Sequence, residues 1–292
     1  MTRRSWSVTG HWDYSLCPRM WWLLRVARVP QEASEDSRRG TVLHAGMAAG
    51  YLAADVAMRE GWAGSSVVHE VLIAVDVAVR KAARLHDYAA VDEAIDTCTN
   101  ALAHLHPHPG DRVLVVERAL DTEVSGVPIT YRPDVIYQRR GLLTVRDWKS
   151  RSELPRARDL RDSRQLALGA LCAARAFPSE FLATRRVRVE IASIGSATVV
   201  GSDMDRATAL KAGDVVAATA ARAEADTVFE PKPGAVCATC KVRAYCPVYA
   251  NEETPEVGPD AKGDPVFRVR TPQMINLHIR ETPSLDVTEV TP

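Results

Sequence analysis

The chain has no excess of either charge: across its 292 residues, 37 Lys and Arg balance 37 Asp and Glu. Bulk electrostatic coating of duplex nucleic acid is therefore not expected, although an acidic metal site beside a local basic groove fits the same balance. No apolar run approaches the roughly 18 residues that a bilayer span needs. The longest candidate, around Met20 to Val29, is broken by Arg25 and Arg28. Arg3 and Arg4 are followed by no apolar segment before His11 and Asp13, so neither a secretory signal nor a membrane partner is expected, and a cytoplasmic location is. Without a signal, the six cysteines are expected to stay reduced and to act as metal ligands or core residues rather than disulfides. The sequence shows no internal repeat. Its 46% hydrophobic and 25% charged content is that of an ordinary globular protein.

Cysteine spacing is the most informative pattern present. Cys237, Cys240 and Cys246 form C-x2-C-x5-C, and Cys17 lies about 220 residues upstream in Cys17-Pro18-Arg19. Three thiolates do not complete a tetrahedral site, and Cys17 is the candidate fourth ligand. Four-cysteine zinc sites usually pair two C-x2-C knuckles, and only one is present. A single knuckle, a wider step and a remote cysteine suit a [4Fe–4S] cluster, with structural zinc as the alternative. Cys98 and Cys172 read as small buried hydrophobes. His104, His106 and His108 fall in a proline-rich stretch that reads as a solvated loop.

Periodicity predicts a short Trp- and Leu-rich helix after Ser15 within 11–29, a charged loop from Ser34 to Arg39, and a helix from about Gly40 that carries His44. Residues 45–105 read as helical, interrupted at Gly61 and Gly64. Strands are predicted near Val113–Glu117, Ile129–Tyr137 and Leu142–Trp148, with turns at 126–128 and 138–141. A helix is predicted over 159–176, a strand over Arg186–Ile191, and a helix capped by Asp203 running to about Ala225. Residues 251–292 read as a weakly ordered tail with one strand near Val266–Val269. The 139–164 stretch holds nine basic residues against four acidic ones.

The chemistry sits on the predicted hairpin. Asp134 lies on one strand, and Asp147-Trp148-Lys149 on the next. The strand period of two puts Asp147 and Lys149 on one face and Trp148 on the other. Two carboxylates and an ammonium converging on one point suit phosphodiester hydrolysis with Mg2+ or Mn2+. Glu117, which ends the apolar run just before the hairpin, reads as a salt-bridged strand end, with an extra carboxylate in the site as the alternative.

The order of these motifs resembles the PD-(D/E)XK nuclease superfamily, in its RecB-like branch with an iron–sulfur cluster, which includes the AddB nuclease domain and the CRISPR-associated type-four exonucleases, with relatives in phages. The resemblance covers about residues 14–250. It implies that Cys17, Cys237, Cys240 and Cys246 hold the cluster and that His44, in Gly40-x-x-x-His44, ligates Mn2+ or Mg2+ with Asp134 and Asp147. It further implies that Asp134, Asp147 and Lys149 are catalytic, and that Gln165 contacts DNA. Gly169 stands where the family's Q-x-x-x-Y helix carries its tyrosine, and Tyr131, Arg132 and Pro133 precede the second-motif aspartate.

The expected fold is α/β: a restriction-endonuclease-like mixed sheet flanked by helices, in a single domain over 1–250 with a helical insertion at about 45–110 and an iron–sulfur cap joining both termini. The expected activity is a metal-dependent exonuclease on single-stranded DNA ends, 5′→3′ by resemblance, serving recombination, repair or end processing. Arg161 and Arg164 would line the strand's path, and a helicase or recombination partner is implied. The location would be the host cytoplasm for a phage-encoded chain. The alternatives are a non-catalytic DNA-end-binding subunit and a zinc-stabilised regulatory protein.

Overall fold

The computed structural model describes residues 5–31, 33–108 and 110–249. The expected tail and its strand at 266–269 lie outside these residues. The described residues form two compact units: one of residues 5–8 and 33–215, and one of residues 9–31 and 216–249.

The larger unit is built on a five-stranded mixed sheet. Strands β1 (Arg112–Val116), β4 (Val135–Arg139), β5 (Leu142–Lys149), β6 (Arg186–Ser193) and β7 (Thr198–Asp205) run in the order β1-β4-β5-β6-β7. Only β5 and β6 pair in parallel; the other neighbours are antiparallel. The parallel step requires a crossover. The 3-10 turn Ala157–Asp162 and helices α6 (Arg164–Ala176) and α7 (Pro178–Thr184) supply it. A separate hairpin pairs β2 (Leu120–Val124) with β3 (Val127–Tyr131). The fold is thus a mixed sheet flanked by helices, compatible with a restriction-endonuclease-like architecture.

Helices α3 (Glu35–Arg59), α4 (Ser65–His86) and α5 (Val91–Leu105) pack beside this sheet. Val42, Leu43 and Met47 of α3 share one buried cluster with Val75 and Val79 of α4, Leu102 of α5, and Tyr137 and Trp148 of the sheet. Burial of this apolar face, at roughly 25 cal/mol per Å2, is what fixes α3 against the strands. Close approach at the helix contact depends on Gly46, where a Cβ would stand 2.7 Å from Cys98 Sγ and 2.8 Å from Val79.

A buried polar network ties the same sheet together. Arg146, 3% exposed, donates to Glu190 through Nε at 2.9 Å and to the Tyr137 hydroxyl at 2.7 Å. Its Nη1 donates to the Leu105 carbonyl at 2.8 Å and to the Tyr51 hydroxyl at 2.5 Å. Burial pushes the Glu190 carboxyl upward, but Arg146, Tyr137 and Arg188 outweigh it and hold the group below its ordinary value.

Several elements differ from the sequence expectation. The charged stretch 34–39 is the start of α3, not a loop: Ser34 is the N-cap and accepts from the Ser37 amide, and Glu35 and Asp36 favour the positive helix start. The expected strand 129–137 is two strands in two sheets, β3 and β4, separated by residues 132–134. Pro133 donates no ladder hydrogen bond, which suits that break. The helix expected from Asp203 begins at Arg206, and Asp203 lies in β7; it is Asp205 whose carboxylate accepts from the Thr208 amide at 2.8 Å. The helix expected over 159–176 divides into the 3-10 turn and α6, whose cap is Ser163.

The smaller unit joins segments from both ends of the chain. It holds α1 (Val8–Leu16) from Thr9 onward, α2 (Pro18–Arg25), the end of α8 (Arg206–Ala225), and 3-10 turns at Ala235–Thr239 and Arg243–Tyr245. The short helix expected after Ser15 is α2; α1 before it was not expected, and Cys17 between them is extended (φ −158°) and precedes Pro18 at the start of α2. The Tyr14 hydroxyl donates to Asp226 at 2.8 Å, and Trp21 stacks on Phe229 at 5.7 Å. Cys17, Met20, Leu23, Val29 and Val242 make its core.

Candidate active site

The β4–β5 hairpin sets the register of the site. Arg140 and Gly141 both have positive φ (50° and 81°), as a two-residue primed turn requires, and Arg139 pairs with Leu142. Counting from that turn puts Trp148 on the core face, fully buried, with its ring 5.8 Å from that of His44. Asp147 and Lys149 fall on the other face, and Lys149 Nζ lies 2.6 Å from Asp147 Oδ2. The second Asp147 oxygen accepts from Gln165 Nε2 of α6 at 2.7 Å. Burial and the neighbouring Asp134 charge push the Asp147 carboxyl up, and Lys149 opposes them.

Asp134 is not within a strand. It immediately precedes β4, where its Oδ2 accepts from the Trp148 amide at 2.5 Å and its backbone carbonyl accepts from the Glu117 amide at 3.0 Å. Its Oδ1 lies 3.4 Å from His44 Nδ1. The same nitrogen lies 3.3 Å from Glu117 Oε1. Desolvation lowers the His44 pKa, but hydrogen bonds to Asp134 and Glu117 overcome it and raise the imidazole to about 10.

His44, Glu117 and Asp134 form the one group of three or more His, Cys, Asp or Glu ligands, among the described residues, whose donor atoms lie within 4.8 Å of one another. One imidazole and two carboxylates on a half-buried surface make a hard donor set of the kind that takes Mg2+ or Mn2+. Glu117 is the member that sequence reasoning placed differently. It does form the expected ion pair, with Arg132 Nε at 2.9 Å from Oε2, but its other oxygen faces His44. A left-handed backbone at Glu117 (φ 46°) turns the chain just after β1. Composition gives no signal for that turn, which is why the strand-end reading of Glu117 stands above the site-carboxylate one.

The basic stretch 139–164 is less uniform than its sequence implies. Arg139 pairs with Asp111 at 2.6 Å and Arg146 is buried against Glu190 at 2.7 Å, so both are structural. Arg151, Arg156, Arg158, Arg161 and Arg164 remain on the surface. Arg161 donates to the Ser202 hydroxyl at 3.1 Å, which fixes the turn against β7.

In the smaller unit, Cys17, Cys237, Cys240 and Cys246 line one small cavity together with Arg19. Backbone amides approach two of the sulfurs: Lys232 N–H to Cys17 Sγ at 3.3 Å, and Gly234 N–H to Cys237 Sγ at 3.4 Å. Arg19 is 3% exposed; its Nη2 donates to the Val228 carbonyl, while its Nε and Nη1 have no hydrogen-bond partner among the described residues. Hydrogen bonding from Gly234 and Tyr249 and the Arg243 charge lower the Cys237 pKa, whereas burial raises those of Cys240 and Cys246. Two buried, unsatisfied guanidinium donors beside four sulfurs fit an anionic thiolate-bound centre. Cys98 and Cys172 are buried apart from it, and burial pushes both thiols up to about 12.

Residues 5–247 match the family model described as the PD-(D/E)XK nuclease superfamily. No curated protein matches the chain.

Proposed function

Since the chain belongs to the PD-(D/E)XK nuclease superfamily, a group of metal-dependent phosphodiesterases, we propose that it is a Mg2+- or Mn2+-dependent deoxyribonuclease that shortens single-stranded DNA ends. The observation that carries this reading is the cluster of His44, Glu117 and Asp134 next to the Asp147–Lys149 pair. The first three residues, with Asp147 after a turn of its side chain, would hold the ion. Bound there, a divalent ion supplies phosphate polarisation and a water of lowered pKa. The protein's own groups do the rest. Lys149 is half-buried beside Asp147 and is placed to meet charge developing on the phosphate. Gln165 donates to the Asp147 carboxylate from α6 and so orients it. The exposed arginines between 151 and 164 offer charge to a DNA backbone.

The four-cysteine cavity is assigned a [4Fe–4S] cluster. A zinc ion with bonds of about 2.3 Å would draw its four sulfurs to within about 4 Å of one another. One C-x2-C knuckle with a wider x5 step and a remote Cys17 departs from the paired knuckles of such zinc sites and suits four thiolates on a cluster. By resemblance, the direction of digestion is 5′→3′ and the setting is recombination or repair beside a helicase partner.

The decisive experiment is digestion of end-labelled single-stranded DNA with Mn2+ by the wild type and by Asp147→Ala. Shortening from the 5′ end by the wild type alone is expected. Internal cuts would replace the exonuclease with an endonuclease. Intact DNA with both proteins, at full cluster occupancy, would move the assignment to a non-catalytic end-binding subunit.

A further inference from the structure

Arg19 is the second residue of α2, two positions after Cys17, in the smaller unit that also holds Cys237, Cys240 and Cys246. Its guanidinium is out of water, and of its nitrogens only Nη2 has an acceptor, the Val228 carbonyl at 3.2 Å. Nε and Nη1 are buried with no hydrogen-bond partner among the described residues. The Trp22 ring, 5.9 Å from the guanidinium carbon, offers a face but no lone pair. The Asp226 carboxylate is taken by other donors, the Tyr14 hydroxyl at 2.8 Å and the Val228 and Phe229 amides at 3.0 and 2.8 Å. Glu230 is exposed. An arginine does not shed its proton, so a buried one with idle donors is costly to keep unless an acceptor meets them.

The cavity that Arg19 lines has four sulfurs in its wall. Burial pulls the guanidinium below its ordinary value, and Cys246 comes first among the groups that oppose this, ahead of Glu230, Cys17 and Asp226. Each sulfur also has a neutral backbone donor: Lys232 for Cys17, Gly234 for Cys237, Val242 for Cys240 and Val248 for Cys246. Arg19 adds what amides lack, a full charge on a rigid planar fork. Lys232 and Arg243 line the same cavity, but Lys232 is exposed and Arg243 half-buried with its guanidinium over the Tyr249 ring at 4.4 Å.

Resting on the iron–sulfur reading of this cavity, we propose that Arg19 sets the cluster's reduction potential, its Nε–H and Nη1–H donating to sulfur and its charge favouring the reduced form. A centre with four thiolates is anionic and gains negative charge with each electron it accepts. Hydrogen bonds to the sulfurs and the local net charge are what set such potentials. A buried cation therefore stabilises the reduced state more than the oxidised one and raises the potential.

The test is a potentiometric titration of the anaerobically purified full chain, followed by visible absorbance and EPR, in the wild type, Arg19→Met and Arg19→Lys. Arg19→Met is expected to bind the same iron and sulfide. At a given potential its reduced-to-oxidised ratio should fall about tenfold, a midpoint lower by about 59 mV for one electron. Arg19→Lys returns the charge without the fork, and its midpoint should lie between the two. A midpoint in Arg19→Met equal to or above that of the wild type, or one in Arg19→Lys no higher than in Arg19→Met, overturns the inference and leaves the cluster standing. Should Arg19→Met not fold, pulsed EPR of the reduced wild type and of Arg243→Lys, each with 15N-labelled arginine, decides instead. A nitrogen coupling in both is expected, and its absence from either overturns the inference. A wild type with neither iron nor sulfide overturns the cluster reading and this inference together.

Discussion

Gln165 and Lys149 hold the two oxygens of Asp147 from opposite elements, Gln165 Nε2 at 2.7 Å from α6 and Lys149 Nζ at 2.6 Å from β5 itself. The carboxylate is thereby turned away from the His44–Glu117–Asp134 group while remaining close enough to feel the Asp134 charge. Gln165 acts through Asp147, and its loss should affect metal use as well as rate. Gln165→Ala is expected to lower kcat/KM about tenfold to a hundredfold, the worth of a hydrogen bond to a charged group, and to raise the Mn2+ concentration for half-maximal rate. Gln165→Glu should be worse, because it sets a like charge on Asp147. Metal titrations of initial rate check both.

Metal binding should expel a proton from His44. With its pKa raised to about 10 by the two carboxylates, the imidazole is protonated at neutral pH, and its ion pairs contribute stability fully below about 6.5 that is lost as pH rises through about 10. An imidazole that ligates a metal is neutral, so apparent Mn2+ affinity should rise with pH across 6 to 9. Calorimetry in buffers of different ionisation enthalpy is expected to show close to one proton released per site. His44→Gln should abolish that release.

The Arg146–Glu190 pair is expected to behave as a buried ion pair. Glu190→Ala leaves Arg146 buried without its counter-charge and should cost about 3–5 kcal/mol, whereas an apolar replacement of both partners should cost much less. Because the Glu190 carboxyl is depressed, its contribution is present above the ordinary value of 4.5 and lost as pH falls through the lower folded value. Denaturant unfolding from pH 7 to pH 3 should therefore show a shallower acid loss in Glu190→Gln than in the wild type.

Cysteine replacement separates the two candidate centres of the smaller unit. Anaerobically purified wild type is expected to absorb broadly near ~400 nm and to contain iron and sulfide. Cys17→Ala should lose the colour and the solubility together. Arg19→Met should keep the colour but lose it faster in air, since a buried cation lining the same cavity as the sulfurs is gone. A colourless wild type with one equivalent of zinc would overturn the cluster.

Much of the site could be read from the chain because strand parity is local. The Asp147-Trp148-Lys149 triplet needs only its own alternation to divide two polar groups from one apolar one, and the structure divides them so. The Arg140-Gly141 turn and the alternating β6 were legible for the same reason. Strand β7 was missed because it is an edge strand with its first residues exposed, which leaves its alternation weak. The start of α3 was missed because six polar residues look like a loop, although Ser34 followed by two acids is a cap. Glu117 was legible as a possible site carboxylate but ranked below a strand end, since its approach to His44 depends on a left-handed turn that leaves no signal in the chain.

The two-residue turn at Arg140-Gly141 acts as a reading frame for the hairpin. One residue inserted there, with pairing preserved, would exchange the faces of β5 from Leu142 onward. Asp147 and Lys149 would enter the apolar core, and Trp148 would stand where the substrate is handled. A length change of one in a surface turn, usually the cheapest of alterations, would here be a frameshift in space, with the composition of the strand untouched and its chemistry inverted.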